Sequence, residues 1–358
     1  MNSLLYKIKK NFSNRAAGSF ILFNVVLVIV FVFFYNSGVN KIVSKSIEQL
    51  HNRQELAVSS GAKSIRLFLD MAKNSLLLLS QNLSATNSRD FQDALNDFAQ
   101  DWSQTPVKGV VLFDKSGKLV SIASNAGSTA SENTDFSDRE YFGWAKAASE
   151  GDTYLGKPIV PRVNSPEPEY ILPFVTPVYR NGEFDGGLIM AISLNKLIST
   201  YMEPLKFTPK SISYFIHPDG TILAGPLERI ELVGVNYFEY LKKKSYEGSQ
   251  FAYEQFAKAV RSEKSGKLDL ILFSLDEQKP IRYLISYSPL TFGDQHWIIS
   301  LATPYDSLYT DLGSLRETGI MMFSAIVFFI LTLSIIGILL SKSNQNQGST
   351  PSANQQNT

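Results

Sequence analysis

The chain has 358 residues, 34 of them Lys or Arg against 33 Asp or Glu, with three His and no Cys. A balance this near neutral argues against a nucleic-acid-binding surface, which would need a basic face. Without cysteine there is neither a disulfide framework nor a thiolate metal site.

In chain order, residues 1–18 form a basic N-terminus carrying Lys7, Lys9, Lys10 and Arg15. No charge then occurs before Lys41, and Ser19 to Tyr35 is a continuous apolar run. A bilayer core of roughly 30 Å needs about 20 apolar residues in helix, so a transmembrane helix is expected over 19–38. Two buried core helices are the alternative for this run and its C-terminal counterpart, but a soluble helix of that length carries a polar stripe, which neither has. A cleaved signal peptide competes for the first run. Against it, the run is longer than a usual signal core, and Phe33-Phe34-Tyr35-Asn36 offers no small-residue cleavage site. Basic residues before a first span stay cytoplasmic, so the N-terminus is expected inside.

From Val39 to Ser84 the chain has no Pro, one Gly and apolar residues near helical spacing (Ile42, Leu50, Leu56, Ile65, Leu69, Ala72, Leu76, Leu79). A long helix over 39–84, continuing the span outward, is expected. Val110 to Phe113, the turn Asp114-Lys115-Ser116-Gly117 and Leu119 to Ile122 read as a strand, turn and strand. A helix-like segment, Asp138 to Ala148, follows. Tyr170 to Val178 then runs through Asn181-Gly182 into Gly187 to Ser193 and exits at Leu194 to Leu197.

The same phrases recur. Tyr214 to Ile216, His217-Pro218-Asp219-Gly220 and Ile222 to Ala224 repeat the hairpin, and Val235 to Lys244 repeats the helix-like segment. Ile281 to Leu290, Gly293-Asp294, Trp297 to Leu301 and the exit Tyr305 to Leu308 complete the second copy. Two copies of one α+β unit, each with an antiparallel sheet, explain this order better than chance. A second uncharged run, Gly319 to Leu340, predicts a transmembrane helix over 317–340 that returns the chain to the cytoplasm. Residues 341–358 are polar and of low complexity, a disordered cytoplasmic tail by composition.

Three phrases stand out in the first copy: Ser137-Asp138-Arg139-Glu140-Tyr141-Phe142, Tyr154-Leu155-Gly156-Lys157-Pro158, and Pro177 through Asn181-Gly182 to Leu188. With the long helix and the tandem modules, they resemble the double Cache, or PDC-type, sensor domains of bacterial chemoreceptors, sensor kinases and diguanylate cyclases. The resemblance covers about Val39 to Leu312. It implies an α+β fold: a long N-terminal helix plus two tandem PAS-like Cache modules with antiparallel sheets, flanked by two transmembrane helices. The distal module would occupy 85–200 and the proximal module 201–312, both within an extracytoplasmic domain of 39–312 on the inner membrane.

The resemblance further implies a small metabolite bound in the distal module. Arg139 matches the Arg of the amino-acid-binding type, while Tyr141 and Phe142 stand where Trp and Tyr would be. Its guanidinium fork suits a carboxylate, and the competing reading pairs it with Asp138, Glu140 or another surface acid. Tyr141 and Trp144 offer amphipathic walls, or else serve as plain core aromatics. Tyr154 and Tyr170 are further candidates, and Arg162, in the loop from Pro158 to Pro168, is either a lid cation or simply solvated. The family's later acidic position falls on Ala191, so an organic acid or a neutral compound is expected in preference to an ordinary amino acid.

Catalysis finds little support. His51, His217 and His296 are scattered without metal-ligand spacing, and there is neither a nucleophile elbow nor a phosphate-binding glycine loop. No cofactor, metal or nucleic acid is expected. In the second copy Asn236-Tyr237-Phe238 lacks the cation of Asp138-Arg139, so the proximal module is expected to relay a shift rather than bind tightly. The expected function is a membrane-anchored extracytoplasmic small-molecule sensor without an output domain of its own. It would sit in the lipid bilayer, dimerise by the resemblance, and signal through a separate partner or represent a truncated relative. A membrane-anchored binding or structural module without a signalling role is the alternative, and an enzyme ranks third.

Overall fold

The computed structural model describes residues 2–85, 91–124, 134–162, 169–225, 232–244, 246–274, 277–308, 317, 319–332 and 335–336. The chain divides into two compact units, Met1–Glu48 with Tyr309–Thr358, and Gln49–Leu308. The expected tail of 341–358 and part of the expected second span lie outside the described residues.

In the first unit the rings of Phe31 and Phe323 stack at 5.7 Å between centroids, and Tyr35 stacks on Phe323 at 5.3 Å. Leu22, Phe23, Phe33, Phe34, Met321 and Phe328 are exposed. Among the described residues, no helix is long and apolar enough to cross a membrane.

The second unit begins within helix α1 (Asn2–Ala85). Val58, Ala62, Ile65, Leu69, Ala72, Leu76, Leu79 and Leu83 recur every three or four residues and are buried, which is the spacing of one helix face. The single glycine of this stretch has a packing reason. A Cβ on Gly61 would meet Met202 Sδ at 2.5 Å and the Tyr201 carbonyl oxygen at 3.3 Å, so the close approach of Tyr201 and Met202 needs a bare backbone there.

Helix α2 (Phe91–Asp101) leads into the distal sheet, built from β1 (Val107–Asp114), β2 (Leu119–Ser124), β3 (Tyr154–Leu155), β4 (Ile171–Arg180) and β5 (Glu183–Ser193), with α3 (Glu140–Ala147) between β2 and β3 and α4 (Leu194–Tyr201) after β5. The proximal sheet follows as β6 (Ile212–Ile216), β7 (Ile222–Ala224), α5 (Tyr237–Lys242), α6 (Ser249–Val260), β8 (Gly266–Phe273), β9 (Pro280–Phe292) and β10 (Gln295–Pro304). The strand orders are β2-β1-β5-β4-β3 and β7-β6-β10-β9-β8, the same topology twice, with every pairing antiparallel.

The repeat extends to individual hydrogen bonds. In the first hairpin Gly117 N donates to Asp114 O and Phe136 N donates back to Gly117 O; in the second, Gly220 N donates to His217 O and Tyr237 N to Gly220 O. Both glycines sit at positive φ, +89° and +93°, and both turns are fastened by an aspartate side chain, Asp114 on the Ser116 and Lys118 amides and Asp219 on the Thr221 amide.

The pleat gives each sheet two covered faces. Val110, Leu112, Leu172, Phe174, Leu188, Met190 and Ile192 face α1, and so do Phe215, Trp297, Ile299 and Leu301 of the second sheet, all within one apolar core. The opposite faces pack on the modules' own helices. Val111, Phe113, Val175 and Ile189 meet α3, while Ile216, Tyr283, Ile285 and Ile298 meet α5 and α6.

Candidate ligand-binding site

Helix α3 buries Tyr141, Phe142 and Ala145, and these fix it over the outer face of the distal sheet. The lead-in residue Phe136 is buried between the rings of Phe113 (6.4 Å) and Tyr141 (6.5 Å). Beside them a cavity of about 60 Å³ opens, with Lys108, Phe136, Tyr141, Arg162, Pro173 and Ala191 among its walls. Gly109, Ala191 and Pro173 are register neighbours on β1, β5 and β4, and their small side chains leave the space.

Two cations from different elements reach this cavity, each already held by an acid. Arg162 donates through both terminal nitrogens to the Asp138 carboxylate, at 2.5 Å for the Nη1–Oδ1 bond, and through Nη1 to the Asp135 carbonyl. Its donated hydrogen bonds hold the Asp138 carboxyl below the usual carboxylate range. Lys108 pairs with the buried Glu169, whose second oxygen accepts from Ser193 Oγ at 2.5 Å. Burial pushes the Tyr141 phenol up to about 12, so it stays protonated and can donate to a ligand oxygen.

The seven sequence candidates do not converge. Tyr141 and Arg162 line the cavity. Arg139 is the N-cap residue of α3 and does not line it. Its Nη2 donates to the Val160 carbonyl at 3.4 Å, and its buried Nε has no partner among the described residues. Phe142 is a core ring packed edge-on to Phe113 at 5.7 Å. Trp144 and Tyr154 stack on each other at 5.2 Å and line a separate groove with Arg66, Asp70 and Lys73 of α1 and Asp294 of the β9–β10 turn. Burial first, and then Glu140, pushes the Tyr154 phenol up to about 12. Tyr170 packs against the α1 core, its hydroxyl beside Gly234. The loop residues 163–168 lie outside the described set.

Lys108 and Glu169 are functional candidates that sequence reasoning missed. They stand 61 positions apart, and the signal that pointed to them is weak: a charge on either side of otherwise apolar strand starts. Among the described residues, no group of three or more His, Cys, Asp or Glu could hold a metal ion.

No protein-family model matches the sequence, and no curated protein matches it. Solved structures do. The ligand-binding domain of the Pseudomonas fluorescens chemoreceptor CtaA, in complex with L-isoleucine, aligns with a TM-score of 0.52 at 16% identity, over 75% of this chain and 97% of that one. The extracellular domain assigned to a histidine kinase, mmHK1S-Z3, aligns at 0.52 and 15% identity, over 75% and 99%. The chain has the double Cache fold. An extracellular ligand-binding receptor from Desulfohalobium retbaense aligns at 0.50 and 12% identity over 69% of this double Cache chain, which spans 39% of the receptor structure.

These comparisons do not support a preference against amino acids, because the CtaA domain is seen with L-isoleucine, L-alanine and L-serine. The expectation rested on Ala191 replacing an acid. Ala191 does line the cavity, yet Glu169 and Asp138 bring carboxylates to the two cations at its edge. The counter-charge for an ammonium group need not come from β5.

Proposed function

We propose that the chain is a membrane-anchored sensor whose distal Cache module binds a small carboxylate-bearing metabolite, an organic acid or an amino acid. The observation that carries this reading is the cavity between α3 and the distal sheet, where Arg162, Lys108 and the protonated Tyr141 can each donate to a carboxylate. Arg162 supplies the fork geometry, and a ligand carboxylate would take the place that Asp138 holds against it. Such an exchange of partners couples binding to the contact between Arg162 and Asp138 at the start of α3, a route to shifting a population between two packings.

The anchoring rests on the two uncharged runs near the ends of the chain and on the apolar side chains exposed in the unit that contains them. With a basic N-terminus inside, the double Cache domain lies outside the inner membrane. Membranes carrying the chain should retain it through an alkaline carbonate wash, and its release there would count against anchoring.

The ligand reading is tested with the full-length chain in a thermal-shift screen of organic acids, amino acids, amines and purines. A ligand at one hundred times its dissociation constant should stabilise the domain by about 2.7 kcal/mol. The hit should vanish in Arg162→Ala and persist in Arg139→Ala. The reverse pattern would return the site to the helix start.

A further inference from the structure

The distal cavity is small, about 60 Å³. A cavity of roughly 150 Å³ takes a benzene ring, or roughly 25 Å³ for each ring carbon. At that ratio the distal space holds about two or three non-hydrogen atoms. Arg162 lines the cavity, but the Asp138 carboxylate that it holds does not, and Asp138 is 65% exposed. A ligand carboxylate in the place of Asp138 therefore stays outside the cavity, and only the ligand's tail enters.

The floor of the space is set by one row of small residues. Along β5, Met190 and Ile192 belong to the core under α1, while Ile189 belongs to the cluster under α3. Side chains alternate along a strand, so Ala191 shares the face of Ile189 and turns its methyl group to the cavity that it lines. Its register neighbours are Gly109 and Pro173. Gly109 is fixed by the next strand, since a Cβ there would meet the Ala123 carbonyl oxygen at 2.4 Å and Ser124 Cα at 2.9 Å. Pro173 is pressed by β3, where a Cβ on Gly156 would meet its Cγ at 2.8 Å. Across the space stand Phe136 and Tyr141, both buried. Ala191 is thus the wall position whose side chain sets the depth.

We propose, on the carboxylate reading of this cavity, that the sensor selects its ligand by size and that Ala191 sets the limit. It takes carboxylates with two or three non-hydrogen atoms beyond the carboxylate group, with or without an amino group among them. A longer tail meets the floor at Ala191 and must force apart close-packed neighbours. Arg162 then supplies the grip, and Ala191 the discrimination.

The test is calorimetric titration of the full-length chain with two homologous series: acetate, propionate, butyrate and pentanoate, and glycine, alanine, 2-aminobutyrate and norvaline. In the series that binds, each methylene that fits should tighten binding about fourfold. Affinity should then fall at least tenfold by pentanoate or norvaline. Ala191→Gly removes one methyl group from the floor and should move the best ligand one carbon longer. Ala191→Leu should abolish binding, with its fold checked by circular dichroism, and should that variant fail to fold, Ala191→Gly is the deciding one. Pentanoate or norvaline binding as tightly as the shorter members, with binding lost in Arg162→Ala, would overturn the size limit and leave the carboxylate reading standing. An unchanged length preference in Ala191→Gly would overturn the role of Ala191. No binding by any member would overturn the size limit, and the carboxylate reading would fall with it unless a larger carboxylate binds through Arg162.

Discussion

At the scale of single residues, the sharpest feature is the ion pair of Lys108 and Glu169 beneath the distal cavity. The two side chains are 13% and 8% exposed, so each charge relies on the other rather than on water. Glu169→Ala should therefore destabilise the domain by about 3–5 kcal/mol, because the Lys108 ammonium is left buried without its carboxylate. The double variant Lys108→Met with Glu169→Ala should cost less than Glu169→Ala alone. Urea denaturation of the set checks this, and additive losses would show that the pair is not coupled. The arginines carry a related lesson. Arg139 and Arg162 both stand near α3 in sequence or space, but Arg139 occupies the N-cap and turns toward the Val160 carbonyl. Arg162 arrives from 24 positions beyond Asp138 to grip it. The motif Asp138-Arg139-Glu140-Tyr141 pointed to Arg139 as the ligand cation, whereas the arginine that lines the cavity is Arg162.

At the scale of elements, both modules hinge on Asp-to-Gly hairpin turns whose glycines adopt positive φ. Gly220 is the tighter of the two, since a Cβ there would run into the Phe238 ring of α5. Gly182, in the β4–β5 turn at φ +80°, has nothing within 4 Å of a Cβ. Gly182→Ala should then cost only the left-handed backbone penalty of about 1 kcal/mol. Gly220→Ala should cost about 2–3 kcal/mol, because Phe238 must shift as well. Thermal melts of the two variants compare them directly, and equal losses would mean that Phe238 yields freely. The same turns explain why these hairpins were readable in the sequence, as their chemistry is local. Helices α2 and α6 and strand β8 were not anticipated. Strand β8 lies at a sheet edge and alternates exposed and buried residues with Lys267 and Asp269 facing out, which leaves a weak apolar signal. Its assignment depends on pairing with β9, a contact the local sequence does not encode.

At the scale of the whole molecule, α1 carries a surface that the second unit leaves uncovered. Leu56, Leu67, Met71 and Leu78 are 72%, 64%, 61% and 62% exposed, and at about 100° per residue they fall within one narrow arc of the helix. An apolar stripe of this kind suits a second copy of the chain, packed helix to helix. Because the chain has no cysteine, Met71→Cys introduces a single thiol, and mild oxidation in membranes should yield a covalent dimer. Ser149→Cys, on the exposed distal surface, should not. A monomer in both cases would remove the stripe from consideration as a dimer seam.

By itself the sequence determined the long helix, the tandem α+β plan and the paired hairpins, since periodicity, proline-free length and turn residues act over a few positions. Only the tertiary structure decided which groups share a cavity. Lys108, Tyr141, Arg162 and Ala191 come from β1, α3, a loop and β5, and Tyr214, Tyr283 and Ser300 line one cavity from three different strands. Register and packing set those meetings over separations that no local pattern spans, because a strand's neighbours are chosen by the whole sheet rather than by its own residues.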